Sequence, residues 1–106
     1  MDIVAETLPT YDEFLTTAET WFSVAAGDGT HVDLFLLKIS EVAANEFTAS
    51  FSLIFRAPAD FDPAQGVYSL THKKLGVFDL FLVPMRRDAD GVYFESIFNN
   101  LVERAA

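Results

Sequence analysis

The chain has 106 residues, 51% of them hydrophobic, with eleven phenylalanines, no cysteine and a net charge of −9. Its length is typical of a single domain, here residues 1–106, and its apolar content is typical of a domain that folds around a buried core. The acidic charge argues against nucleic acid or an anionic membrane as a partner, and the missing cysteines exclude disulfides, thiolate catalysis and cysteine-ligated metal sites.

The first predicted element is a short helix over residues 8–18. Pro9 marks its entry, and Thr10 and Glu13 have the three-residue spacing of a capping box. Its apolar face follows the i, i+3, i+4, i+7 spacing and consists of Tyr11, Phe14, Leu15 and Ala18. A helix this short needs a surface to pack on, so we expect it to close one end of the core.

Residues 20–99 predict an antiparallel β core, and residues 100–106 a polar tail. The expected strands cover 21–25, 31–42, 47–55, 67–72, 77–86 and 92–98. The strand over 47–55 alternates between apolar and polar residues, which is typical of a half-buried antiparallel strand. The segment 88–91, Asp-Ala-Asp-Gly, predicts a hairpin turn in which Gly91 supplies a positive φ. About six strands at these turn spacings indicate a small antiparallel β-barrel or sandwich with one short N-terminal helix.

Two of the predicted strands, those over 31–42 and 77–86, carry apolar residues on both faces. Consecutive side chains of a strand point to opposite sides, and only one side of a barrel strand belongs to the core. The second face is covered either within the chain, by the helix or another sheet, or by another protein chain. Both alternatives are open at this point. The candidate interface for a protein partner or a homo-oligomer consists of Phe35, Leu37, Ile39, Phe78, Leu80 and Leu82.

The sequence contains no recognisable catalytic, cofactor or metal site. His72 could pair with Asp79 across a hairpin, but two ligands hold a metal poorly, and a hydrogen bond from His72 to its turn is the favoured interpretation. Glu95 lies between an aromatic residue and a serine, and we expect it to face solvent or a basic residue rather than to act as an acid. Residues 88–91 lack the ligand series of a calcium loop. We therefore expect neither enzymatic activity nor a cofactor.

Four segments, taken together, resemble a known family. They are FSLIFRAP (51–58), QGVYSLTH (65–72), LGVFDLFLVP (75–84) and GVYFESIFN (91–99). The family is similar in these motifs and comprises small bacterial proteins known as domain of unknown function 6916, whose genes tend to lie beside genes for phage-tail-collar-like fibre proteins. The resemblance therefore implies an association between neighbouring genes, but it implies no molecular mechanism. The motif residues, for which we expect structural roles, are Gln65, Gly66, Tyr68, His72, Gly76 and Pro84.

The leading hypothesis is a non-enzymatic interaction or assembly module, acting as an accessory or structural component of a phage-tail-like fibre system. The alternative is a small β-barrel that binds an apolar ligand, which requires an interior that side chains do not fill. An enzyme that uses His72, Asp79 or Glu95 is the weakest hypothesis. Because no signal-like segment or membrane-length apolar run is present, we expect a soluble, cytoplasmic protein with no membrane insertion, which would leave the cytoplasm only by a dedicated export route or in a fibre.

Overall fold

The computed structural model describes residues 8–25, 30–45 and 48–101. Within them the chain forms one helix and seven strands: α1 (Tyr11–Leu15), β1 (Trp21–Ala25), β2 (His31–Ile39), β3 (Ala43–Ala44), β4 (Thr48–Ala57), β5 (Gly66–His72), β6 (Gly76–Asp88) and β7 (Gly91–Leu101). Six of the strands lie near the expected positions, but β2 ends at Ile39 rather than residue 42, and the short strand β3 was not expected. The polar tail was predicted from residue 100, but β7 continues to residue 101, and residues 102–106 lie outside the described part.

Six strands close into an antiparallel barrel. Their order is β2-β1-β5-β6-β7-β4, and β2 pairs back onto β4 to complete the ring. The short strand β3 continues along the same side of β4, where Ala43 pairs with Ser50. The expected small antiparallel barrel with one N-terminal helix is confirmed, and the sandwich alternative is not what the chain adopts.

Phenylalanine rings fill the barrel interior. Phe22 meets Phe55 and Phe78 edge to face, with ring centroids 5.4 and 6.2 Å apart. Each fully buried ring of this kind stabilises the fold by roughly 1.5–3 kcal/mol. The fully buried phenylalanines are Phe14, Phe22, Phe55, Phe78 and Phe94. A barrel of so few strands has an interior that side chains can fill, and here they do.

Helix α1 plugs one end of the barrel. The Thr10 hydroxyl accepts a hydrogen bond from the Glu13 amide at 3.2 Å, and the Glu13 carboxylate accepts one from the Thr10 amide at 2.9 Å, so the capping box is confirmed. Phe14 is fully buried. Its ring lies 5.5–6.4 Å from the rings of Phe51, Phe78 and Phe98.

The helix is shorter than the predicted span of 8–18. The hydroxyls of Thr16 and Thr17 donate to the carbonyls of Glu13 and Phe14, at 2.7 and 2.9 Å. Such local bonds compete with further helical hydrogen bonds, so the chain leaves the helix there. Glu19 then adopts a φ of 60°, which redirects the chain into β1.

The loop between β4 and β5 plugs the other end. Phe61 lies 5.6 Å from Phe94 and 6.2 Å from Tyr68, measured between ring centroids. The Tyr68 hydroxyl donates to the carbonyl of Ala64 in the same loop. Desolvation, and then the negative charge of Asp62, raise the pKa of the Tyr68 hydroxyl above its usual value. The phenol therefore stays protonated and keeps donating to the loop.

The faces of β6 are the reverse of the sequence-based assignment. Phe78, Leu80 and Leu82 are buried in the barrel, because the register with β5 places Phe78 beside the buried Leu70. Their assignment to a partner interface is wrong, since they belong to the core. The outward side chains of β6 are their odd-numbered neighbours.

A bulge in β2 changes which of its side chains face outward. The register with β4 shifts between Leu36 and Lys38, which leaves Leu37 as the extra residue. Ile39 therefore turns inward and packs, half-buried, against the core, so it does not share the outer side with Phe35 and Leu37. Phe35 and Leu37 do lie on the outer side of the barrel.

Candidate functional site: two exposed surfaces of the barrel

The first surface is an outer apolar face on β5 and β6. It consists of Val67, Val77, Phe81 and Val83, which are 68%, 62%, 50% and 37% exposed. Val67 and Phe81 are cross-strand partners, and Val83 follows Phe81 on the same side of β6. These three side chains therefore form one continuous apolar area.

The charges beside the outer apolar face are acidic. Asp79 lies between Val77 and Phe81 on the outer side of β6 and is exposed. Glu95 of β7 is the cross-strand partner of Val83. The nearest lysines in sequence, Lys73 and Lys74, lie in the turn before β6 and thus beyond the Val77 end. The Phe81 end of the face combines apolar side chains with negative charge.

The second surface is a row of aromatic and arginine side chains across five strands. Successive members are cross-strand partners, so their Cα atoms follow one line around the outside of the barrel. We call this the aromatic–arginine row. In order it consists of Trp21, Phe35, Arg56, Tyr93 and Arg86. Trp21 and Arg86 are exposed, Phe35 and Arg56 are half-buried, and Tyr93 is buried beneath Arg86.

Each member of the aromatic–arginine row contacts a neighbour. Trp21 meets Phe35 edge to face at 5.0 Å between ring centroids. The Arg56 guanidinium lies 5.2 Å from the centre of the Phe35 ring, and the Arg86 guanidinium 3.9 Å from that of Tyr93. Cation–π contacts of this kind contribute roughly 0.5–1 kcal/mol each at exposed sites. The contacts hold the row in one arrangement.

The β6–β7 hairpin anchors one end of the row. Arg86 donates to the Asp88 carboxylate at 2.7 Å, and the amides of Asp90 and Gly91 donate to its other oxygen at 2.8 and 3.2 Å. Desolvation raises the pKa of the Asp88 carboxyl, but the bonds from Asp90, Arg86, Tyr93 and Gly91 outweigh it and leave the pKa below its usual value. The carboxylate therefore stays charged and keeps the turn closed.

A depression of about 320 Å³ opens at the Trp21 end of the row. Trp21 is 57% exposed and presents its indole there. Among the described residues, no carboxylate forms an ion pair with Arg56, although two acidic residues share the depression with it. The depression is lined by Trp21, Asp33, Arg56, Ala57, Pro58 and Asp90.

A comparison with known protein families shows which family the chain belongs to. The family model described as Domain of unknown function (DUF6916) matches residues 9–98. The chain belongs to this family. No curated protein and no solved structure matches it. Within the described residues, no helix is long and apolar enough to cross a membrane.

The DUF6916 motif residues have structural surroundings in this chain. Gly76 has a φ of 84°, a value that L side chains rarely adopt, as expected for a glycine at a strand end. Gly66 has no such φ. Pro84 lies beside the register shift between β6 and β7, where a missing amide proton does little harm. Gln65 is exposed.

His72 lies inside the barrel mouth and bonds to the turn, as its favoured interpretation predicts. The Lys74 amide donates to Nδ1 of His72 at 2.9 Å, so in the neutral ring the proton sits on Nε2, 3.0 Å from the Thr20 hydroxyl. Desolvation, and then the positive charge of Lys74, lower the pKa of the His72 imidazole.

The structure does not bring the weighed chemical residues together. His72 faces inward, whereas Asp79 faces outward from β6, and Glu95 lies on the outer side of β7 opposite Ile54. Among the described residues, no three His, Asp or Glu side chains are close enough to hold a metal ion. The arrangement of these residues offers neither a nucleophile with its base nor a ligand set.

A further apolar depression of about 370 Å³ lies at the end of the barrel that α1 plugs. It is lined by Leu8, Pro9, Thr10, Tyr11, Val42, Ala49, Phe51 and Phe98. It carries no charged side chain, and its lining is mostly apolar, with the Thr10 and Tyr11 side chains as its polar members.

Sequence reasoning missed the aromatic–arginine row because its members are scattered along the chain. Their proximity depends on strand order and register, which a single sequence does not contain. One signal was present: Arg56 occupies the polar side of the clean alternation in β4, directly after Phe55. That position predicts that Arg56 lies on the outer face, but it does not predict which aromatic rings lie beside it.

Proposed function

We propose that this protein is a non-enzymatic interaction module that docks a protein partner on its outer apolar face. The observation that carries the proposal is the continuous exposure of Val67, Phe81 and Val83 on neighbouring strands. Contiguous apolar areas on a folded domain usually mark an interaction surface, whereas isolated apolar residues need no explanation.

The charges beside the face favour a partner with basic residues. Asp79 and Glu95 flank the Phe81 end, and the chain as a whole carries a net charge of −9. A two-fold contact between two copies would place these acidic residues opposite each other, because such an interface uses the same patch twice. A partner that presents apolar side chains bordered by lysine or arginine matches the surface better than a second copy does.

Accessory function in a larger, fibre-like assembly within the cytoplasm is part of this proposal. A module of this kind needs one surface and a stable fold, and no catalytic group. The alternative of an apolar ligand inside the barrel has less support, because Phe22, Phe55 and Phe78 occupy that space.

Site-specific photo-crosslinking in the native host tests the proposal. A photoreactive phenylalanine analogue replaces Phe81 in one variant and Leu15 in another, since Leu15 is a comparably exposed apolar residue on α1, outside the face. We expect one protein to be linked from position 81 and not from position 15. The charge reversal Asp79→Lys should reduce that product at least tenfold, because it opposes basic groups on the partner.

Three outcomes would overturn the docking proposal. They are equal products from positions 81 and 15, a product of twice the chain's own mass, and no product from position 81 in cells that contain the folded variant. Circular dichroism of each purified variant establishes that it is folded, which the exposure of Phe81 and Leu15 leads us to expect.

A further inference from the structure

The depression beside Trp21 combines three kinds of chemical group. The indole of Trp21 supplies an apolar ring face whose electron density carries partial negative charge. Asp33 and Asp90 supply carboxylates, which only accept hydrogen bonds when ionised, and Arg56 supplies a guanidinium, which only donates them. A ligand that satisfies all of them needs donors, acceptors and an apolar face on one small body.

This set of groups disfavours the other common ligand classes. Phosphates and nucleotides would face two carboxylates on a chain of net charge −9. A cation would face Arg56, and the described residues hold no three-ligand metal cluster. A purely apolar ligand would leave the three charged groups without water or partners, which costs free energy.

We propose that the depression beside Trp21 binds a neutral sugar, as a single pyranose unit. Such a ring has a face of C–H groups that can stack on the indole, while its hydroxyls donate to Asp33 and Asp90 and accept from Arg56. The depression has a volume of about 320 Å³, at the lower end for ligand sites, which suits a single sugar unit rather than a long chain.

The surroundings hold the Trp21 ring, the Arg56 guanidinium and the backbone of the turn at Asp90 in place before any ligand arrives. Phe35 contacts both the Trp21 ring and the Arg56 guanidinium. Asp90 sits in the turn that Asp88 closes through hydrogen bonds to the Asp90 and Gly91 amides. Groups that rigid strands and a tight turn position lose little freedom on binding, which favours affinity.

Nuclear magnetic resonance titration of the full chain tests the site. Glucose, galactose, mannose and N-acetylglucosamine, each as monosaccharide and trisaccharide, are added while the indole N–H signal of Trp21 is followed. The chain has one tryptophan, so the signal is unambiguous. We expect a saturable shift for at least one sugar, with a dissociation constant of about 1 mM, which is modest because the site is shallow.

Variants separate the proposed contacts from general effects. Asp33→Asn and Arg56→Gln should each lower the affinity for the sugar at least tenfold. The affinity is measured from the shift of the backbone amide signal of Asp90. Val77→Ala lies on the outer apolar face and should leave the affinity unchanged. Glucose 6-phosphate should bind more weakly than glucose, because its phosphate meets the two carboxylates.

The sugar proposal is overturned if no sugar gives a saturable shift, if Asp33→Asn binds as well as the wild type, or if the phosphorylated sugar binds more tightly than the neutral one. The folded state of each variant is checked in the same amide spectra. The test shares no residue with the crosslinking experiment, so sugar binding and partner docking can succeed or fail independently.

Discussion

Gly91 shows how one missing side chain supports both the fold and the Trp21 depression. A Cβ atom at this position would lie 2.2 Å from the Ala57 carbonyl oxygen and 2.8 Å from Cγ of Arg56. The strand partner therefore approaches so closely that only glycine fits, and the stem of Arg56 crosses the space that is left. The expected positive φ of Gly91 is not observed. The sequence predicts the turn correctly but not the reason for its glycine. That reason is the close approach of Ala57 and Arg56 on β4, which the local sequence around residue 91 does not show.

We predict that Gly91→Ala destabilises the protein by roughly 2–3 kcal/mol, because the clash involves backbone and cannot be relieved by a rotamer change. Gly66→Ala is the matched control. A Cβ atom at Gly66 meets nothing within 4 Å, and its φ is not positive, so its effect should stay within about 1 kcal/mol. Urea unfolding of the two variants gives both values. Equal effects would contradict the close-approach argument.

At the level of elements, His72 connects β5 to the segment that follows the helical plug. His72 is 9% exposed, and the centre of its ring lies 4.4 Å from that of the Phe22 ring. Nε2 lies beside the Thr20 hydroxyl, which itself donates to the Thr17 carbonyl at the end of the helical turn. The connection needs neutral imidazole, because protonated Nδ1 could no longer accept from the Lys74 amide.

We predict that the protein loses stability as the pH falls below about 6.5, because the unfolded chain is protonated at His72 more readily than the folded chain. The pKa of His72 is lowered in the folded chain, so the unfolded chain takes up the proton first. The free energy of unfolding therefore decreases as the pH drops from the unfolded pKa, near 6.5, to the lower folded pKa. Denaturant titrations between about pH 7.5 and pH 5 measure this slope.

Two single variants isolate the contribution of His72 to that slope. His72→Gln should be less stable than the wild type at neutral pH but should lose less stability on acidification, because the titrating group is gone. His31 is exposed at the start of β2, and His31→Gln should keep the wild-type slope. An unchanged slope in His72→Gln would contradict the assignment.

The strands themselves could be predicted, but the outward faces of two of them could not. Alternation over 47–55 and the turn residues were sufficient to place strands near their observed positions. In β6 both faces are apolar, so a period of two cannot choose between Phe78 and its neighbour Val77. Only the register with β5 decides, through the pairing of Leu70 with Phe78. The bulge at Leu37 likewise could not be predicted, because no glycine or proline lies there to indicate it.

For the whole molecule, the net negative charge opposes the compact folded state. The chain has 16 acidic and 7 basic residues. Among the described residues one ion pair forms, between the exposed Arg86 and Asp88. Surface pairs of this kind contribute little, so repulsion among the remaining acidic groups is largely uncompensated and destabilises the compact state. The same excess of negative charge is what would attract a basic partner to the outer apolar face.

We predict that screening this repulsion stabilises the protein. Raising NaCl from about 0.05 M to about 0.5 M shortens the Debye length to below 5 Å. The melting temperature should rise by about 4–8 °C if the gain is about 1 kcal/mol. Glu41 and Asp60 are exposed. Replacing both by lysine changes the net charge from −9 to −5, and replacing them by Gln and Asn changes it to −7.

The graded charge series separates repulsion from a general salt effect. At low salt the melting temperature should increase from the wild type through the −7 variant to the −5 variant, and the effect of salt should shrink in the same order. If all three respond equally to NaCl, salt acts through the hydrophobic effect instead. A lower melting temperature in high salt would mean that attractive pairs outweigh the repulsion, contrary to the sparse pairing of the described surface.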